Sequence, residues 1–403
     1  MKSRILILTA GFGEGHNAAA RNLEEAFNQV ISPGAAMTAD IFSMASPRLN
    51  RVLRKGYIGM INRTPHLWSR FYQWVDRSEI LPSALWSMWR EMELLAQVIR
   101  RERPVAVCST YPVYAFMMER LAHQGRIAPV PHFNIVTDSI SINSLWWRAQ
   151  CDAWFVPNDA SAEIMRSVGV EASRLHACGF PTPAFFRDNP NLTPPPLSRP
   201  PHPARAPGAP RVLYIINSGT RGAELTARLL LEESGWDITC AVGKDVALRR
   251  RLQKLATSRT RPTSILGWTD LIPRLLLTHH VVISKAGGAT TQEAIAARCP
   301  MIVNQIVPGQ EEGNYELLRR HGVGALAETP TAVLEACRSA FADQGRVWSK
   351  WRGALDRLAR PNAAEAIVEQ VLERVRVGAG IGAGALDPAA NRVPLSLKPA
   401  AVR

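Results

Sequence analysis

The sequence predicts an α/β protein built from two Rossmann-like domains that face each other across a cleft. Three observations predict it. Strand, glycine-rich turn and helix follow one another twice, at residues 4–27 and again from residue 211. Short apolar runs then alternate with helical stretches through each half. Between the halves, residues 190–210 hold nine prolines together with Ser, Arg and Gly. That composition supports neither regular element and reads as a linker. The domain plan is therefore 1–189, a linker at 190–210, a second domain at 211–377, and a Gly-, Ala- and Pro-rich tail at 378–403 expected to be disordered.

Each element has its own reason. Ile5-Leu6-Ile7-Leu8 is a short unbroken apolar run, as expected of a buried parallel strand. It is too short for a secretory leader, and Gly11, Gly13, Glu14 and His16 break it at once. A helix follows over 17–27, rich in alanine. Residues 105–108, 132–136 and 152–156 read as further strands of the same sheet. The second half opens on a strand at 211–216, and the turn Asn217-Ser218-Gly219-Thr220-Arg221-Gly222 leads into a helix from about 223. Strands are expected at 237–242, 263–266, 280–284 and 300–303, and a last helix at about 362–376. No stretch of about 18 apolar residues exists, which argues against a membrane-spanning helix.

Composition narrows the function classes. With 46% hydrophobic and 20% charged residues the chain is globular rather than disordered. The six cysteines form no Cys-x-x-Cys pair, which predicts free thiols in a reducing cytoplasm and neither a zinc site nor a disulfide framework. The net charge is +14, and 41 of the 48 basic residues are Arg. Either the genome writes Arg for Lys, or the surface attracts something anionic, nucleic acid or an acidic leaflet. Residues 48–103 hold eleven Lys/Arg against five acids, together with Trp68, Trp74, Trp86 and Trp89.

Three constellations carry chemistry. In Gly11-Phe12-Gly13-Glu14-Gly15-His16, glycines at a strand-to-helix turn let backbone N–H groups approach a phosphate. A histidine at a helix start is kept neutral by the dipole and can act as a general base or hydrogen-bond an anion. The stretch Ser284-Lys285-Ala286-Gly287-Gly288-Ala289-Thr290 repeats the arrangement, with free N–H groups able to hold a diphosphate. Glu293, in the first turns of that helix, is placed to accept a pair of ribose hydroxyls. Last, Pro308-Gly309-Gln310-Glu311-Glu312-Gly313-Asn314 gathers carboxylates and amides that suit sugar hydroxyls. The dinucleotide fingerprint is incomplete: its third glycine is missing, and no clean second strand ends in an acid about 20 residues on.

Together these motifs resemble the monogalactosyl- and glucosyl-diacylglycerol synthases, relatives of the peptidoglycan N-acetylglucosaminyltransferase. The family's Gly-x-Gly-His is matched by Gly13-Glu14-Gly15-His16, and its Lys-Pro-Gly-Gly-x-Thr-x-x-Glu-Ala by residues 285–294, with Ala286 in place of the proline. Its Pro-Gly-Gln-Glu-x-x-Asn is matched by residues 308–314, and Val136-Thr137-Asp138 and Gly179-Phe180-Pro181 follow in order. The resemblance spans about residues 4–375. Asn143 stands ahead of Trp146 where the family usually has His, and His279-His280 where an acid is common.

The resemblance implies the GT-B glycosyltransferase architecture and an inverting transfer of a hexose from a UDP-sugar to diacylglycerol or a related lipid. It places the acceptor on the first domain and the donor on the second. The implied donor contacts are Gly15, Gly219, backbone at Leu266 for uracil, Lys285, Gly287, Gly288, Ala289 and Thr290 for the diphosphate, Glu293 for the ribose, and Gln310, Glu311 and Asn314 for the sugar. His16 and Asp138 are the candidate bases. Amide dipoles at the leaving diphosphate make a metal ion or other cofactor unnecessary. The expected setting is the cytoplasmic face of the cell membrane, with an anionic surface as partner and no nucleic acid. Two alternatives stand beside this. One is transfer from UDP-N-acetylglucosamine to a polyprenyl-linked cell-wall precursor. The other, a basic nucleic-acid-binding protein, lacks a reading motif.

Overall fold

The structure is a computed structural model. It describes residues 4–11, 13–48, 50–51, 56, 85–197, 208–217, 220, 222–309 and 311–378. Most of the basic and aromatic 48–84 stretch, residues 198–207 of the linker, Gly219, Gln310 and the tail from 379 lie outside the described residues.

The first domain alternates β1 (Ile5–Leu8), α1 (Glu14–Val30), β2 (Ala36–Ala39), α2 (Ile41–Ala45), α3 (Trp89–Glu102), β3 (Ala106–Ser109) and α4 (Val113–His123). It continues with β4 (His132–Ile135), β5 (Ala153–Phe155), α5 (Asp159–Ser167), β6 (Leu175–His176) and α6 (Phe185–Asp188). All pairings are parallel, in the order β2-β1-β3-β4-β5-β6. Ile5–Leu8 is buried on both faces because β1 lies between β2 and β3, with layers of helix above and below.

The second domain contains β7 (Arg211–Ile215), α7 (Ala223–Glu232), β8 (Asp237–Ala241), α8 (Val246–Ala256), β9 (Thr263–Leu266) and α9 (Ile272–Thr278). After these come β10 (Val281–Lys285), α10 (Gly288–Ala296), β11 (Met301–Gln305), α11 (Glu312–Arg320), β12 (Ala325–Leu326) and α12 (Pro330–Leu358), which is broken into two helical stretches at 342–345. The sheet is again parallel, ordered β12-β11-β10-β7-β8-β9. Each sheet has one point where the order reverses, between β1 and β3 in the first and between β7 and β10 in the second. Crevices at such points are where α/β sheets bind ligands.

The structure departs from the sequence reading in three places. β2 does exist and is followed directly by Asp40, whose carboxylate accepts from Gly11 N (3.0 Å) and caps α2 at Ser43 N (2.9 Å). Its Ala-Met-Thr-Ala composition hides it from a search for β-branched runs. The edge strands β6 and β12, two residues each, were also not expected. Third, the last helix, α13 (Ala363–Gly378), does not cover the second sheet with which 211–377 was grouped. Ile367, Val368, Val371 and Leu372 pack with Ile5, Ile7, Leu23 and Phe27 in the core of the first domain. An amphipathic helix settles on whichever apolar face is uncovered, and that face lies beside α1.

Candidate active site

At the first crossover, α1 starts after Gly13 in extended backbone, and Ala18, Ala19 and Ala20 bury its inner face. This brings the half-buried His16 over the end of β3. Its Nδ1 lies 2.6 Å from the Thr110 carbonyl oxygen and 2.9 Å from Thr137 Oγ1. A carbonyl only accepts, so Nδ1 carries the proton and Nε2 keeps a free lone pair. Burial pulls the His16 pKa below its ordinary value, and Asp138 and the Thr110 carbonyl partly offset that. The ring is thus kept neutral mainly by desolvation, where the sequence reading had credited the helix dipole. Tyr111 meets the ring edge-on at 5.1 Å.

Asp138, on the loop after β4, is held from behind: Trp146 Nε1 donates to its Oδ2 at 2.8 Å. Trp146 is fully buried, and Trp154 Nε1 donates to its carbonyl at 2.6 Å. Asn143 caps the short turn 144–146 by accepting from Leu145 N at 3.0 Å. The residue standing in place of the family's His is therefore buried and supports the loop.

The second crossover supplies the opposing half. α10 begins at Gly288 after β10, and the N–H groups of Gly288, Ala289 and Thr290 have no carbonyl four residues back within the helix. A Cβ on Gly15 would lie 3.9 Å from Ala289 N, and one on Gly288 3.7 Å from the Thr137 carbonyl oxygen. Two helix N-termini therefore face each other across the cleft. That is an environment favourable to an anion. At the base of the crevice, Asn217 Nδ2 donates to Ser284 Oγ at 2.9 Å.

Lys285 pairs with Glu311, whose other oxygen accepts from Val307 N at 3.1 Å. Asn314 Nδ2 donates to the Ala286 carbonyl at 2.9 Å. The sequence reading set Glu311 and Asn314 against sugar hydroxyls. Here both are buried and brace the turn 285–288, so their immediate effect is to aim Lys285 and the α10 amides. Glu293 is half-buried, and burial raises its carboxyl to about 7 against a counter-pull from Arg21 of α1. Leu266 closes the edge strand β9, where its carbonyl accepts from Val242 N at 2.9 Å. Gly219 and Gln310 lie outside the described residues.

His16, Thr137 and Asp138 thus meet Gly15, Gly288 and Ala289 in one cleft. Thr110, Trp146, Arg21, Ser139 and Gln292 were not singled out from sequence. Of these, Thr110 had a signal as a polar residue directly after a buried strand, and Trp146 had one as the tryptophan of the family pattern after Asp138.

Fold and site together define the GT-B class of two Rossmann-like domains. Solved structures agree on the fold. MnaA of S. aureus with UDP superposes with a TM-score of 0.57 at 13% identity, covering 94% of this chain and 98% of that one. MurG of Acinetobacter baumannii also gives 0.57 at 13% identity, covering 92% and 99%. Within this class the chain resembles the glycolipid glycosyltransferases. Residues 16–182 match the monogalactosyldiacylglycerol (MGDG) synthase family. The processive diacylglycerol beta-glucosyltransferase of Bacillus cytotoxicus is 26% identical over 379 residues, 92% of this chain and 93% of its own. That of Bacillus thuringiensis is 24% identical over 380 residues, 93% and 94%.

Proposed function

We propose that the protein is an inverting glycosyltransferase that moves a hexose from a UDP-sugar to diacylglycerol or a related lipid hydroxyl. The observation that carries the reading is the His16 imidazole, fixed as its Nδ1–H tautomer beside Thr137, whose carbonyl lies against Gly288 at the open N-terminus of α10. The relatives named as diacylglycerol glucosyltransferases support the acceptor class. In this reading the acceptor hydroxyl gives its proton to His16 Nε2. Its oxygen forms a bond to the anomeric carbon as the bond from that carbon to the β-phosphate oxygen breaks. Asp138, anchored by Trp146, stabilises the imidazolium that results. The α10 amides and Lys285 take up the charge of the departing UDP without a metal ion. Glu293 accepts the ribose hydroxyls. One displacement from the opposite face inverts the anomeric centre.

The test is incubation with UDP-glucose, UDP-galactose or UDP-N-acetylglucosamine and diacylglycerol, with mass spectrometry of the lipid. A hexosylated diacylglycerol is expected, and His16→Ala lowers turnover by about 10²-fold or more while UDP still binds. Product only from a polyprenyl-linked acceptor would move the assignment to cell-wall precursor transfer.

A further inference from the structure

We propose that the loop 137–142, which carries Thr137 and Asp138, is held in its working shape by the second domain, with Ile140 and Gly313 as positioning residues. The inference rests on the functional reading above and names what completes that site.

The loop is strained. Ile140 has a φ of +59°, in the left-handed region that β-branched residues avoid. Ser141 N donates to the Ser139 carbonyl at 2.6 Å, which closes a three-residue turn of positive φ around it. Such backbone persists only where its surroundings over-determine it. One hold comes from the first domain: Ile140 N donates to the buried Ser161 Oγ at 3.1 Å.

The other holds come from the second domain. The Ile140 side chain is buried in an apolar cluster built chiefly there, with Leu213, Ala294 and Leu317. Gln292 of α10 donates to Ser139 Oγ at 2.8 Å. Gly313 of α11 lies so close that a Cβ on it would stand 1.9 Å from the Ser139 carbonyl oxygen and 2.6 Å from Ser141 N. Only glycine lets α11 seat against this loop. Separation of the domains removes these holds and exposes Ile140, so the turn relaxes and draws Asp138 and Thr137 away from His16. Closure onto a bound donor restores them. The base is thereby completed only when the donor domain is in place, and the strained turn couples the two.

The test uses the full chain, with amide hydrogen exchange of residues 137–142 read with and without UDP. In the unaltered protein UDP increases their protection. In Gly313→Ala that gain is lost and kcat falls on the order of 10²-fold, the scale of a misplaced catalytic group. UDP affinity by calorimetry stays within about twofold. The loss falls on kcat rather than on the KM for the donor, the split expected when a base is displaced from a site that still binds. If Gly313→Ala does not fold, Ile140→Gly, which accepts the backbone conformation but lacks the apolar plug, is expected to show the same losses. A folded, UDP-binding variant of either kind with unchanged kcat and unchanged protection would overturn the proposal. Absence of lipid product in the unaltered protein overturns the functional reading alone, since the protection change is read without turnover.

Discussion

His16 shows how a single contact selects a chemical role. The Thr110 carbonyl at 2.6 Å requires a proton on Nδ1, so basicity resides at Nε2. Burial lowers the pKa, and the neutral ring is the form that the proposed mechanism uses. kcat/KM is therefore expected to rise with pH through an apparent pKa below 6.5 and then level off, as rate measurements on diacylglycerol vesicles would show. Asp138→Asn should move that limb further toward acid, because the charge that favours imidazolium is gone. A limb that stays put would take Asp138 out of the pair.

Glu293 has the opposite sign. Its carboxyl is raised from 4.5 to about 7, so between those values the folded chain binds more protons than the unfolded one. Stability is then lost as pH rises through 7. Glu293→Gln should raise thermal stability at pH 8, by on the order of 1–2 kcal/mol after discounting for solvent and Arg21. The same change should weaken UDP binding at least tenfold, the effect of losing charge-assisted hydrogen bonds. A variant more stable yet equally tight for UDP would remove Glu293 from the ribose site.

Among the elements, legibility followed local chemistry. Glycines near the starts of α1 and α10 marked both strand-to-helix turns, where open backbone amides suit an anion. The apolar runs of β1, β3, β7 and β10 marked the sheet centres. Contacts between elements distant in sequence were not legible. Nothing in Ile140 announces a positive φ, and nothing in Gln292 announces Ser139. Glu311 and Asn314 illustrate the same limit: their residue types suit a sugar, but only the fold shows that Lys285, Val307 and Ala286 engage them first. Gly179 belongs here too. Its φ is +109°, and a Cβ would lie 2.7 Å from Ala363 Cβ and 3.0 Å from Arg360 Cβ at the start of α13. Gly179→Ala should destabilise the protein by about 2–4 kcal/mol, combining backbone strain with displacement of a packed helix. Denaturant titration checks this, and a loss under 0.5 kcal/mol would mean that α13 adjusts freely.

At the scale of the molecule, the proposed lipid acceptor raises the question of how the protein would reach a substrate dissolved in a bilayer. Among the described residues no helix is long and apolar enough to cross a membrane. On that reading the net charge of +14 would supply long-range attraction to an anionic leaflet. The 48–103 segment concentrates +6 of it, from eleven basic and five acidic residues. At its described end, Trp89 opens α3 62% exposed, with the Arg90 guanidinium 5.3 Å from its ring, while Met92, Leu95, Ala96 and Ile99 face the core. Met44 is likewise half-exposed on α2, which packs on α3. An exposed Trp beside Arg suits the headgroup layer, where the ring meets apolar chains and the cation meets phosphate. Vesicles rich in phosphatidylglycerol should bind the protein at low salt. Raising ionic strength should weaken binding, since the Debye length shrinks to about 8 Å at 0.15 M. Trp89→Ala should lower affinity at every salt concentration without changing the slope, because it removes insertion and leaves the charge. Sedimentation with vesicles of defined composition separates the two contributions. Equal binding to neutral and anionic vesicles would remove the electrostatic contribution, and no binding to either at low salt would leave the lipid acceptor without a route to the cleft.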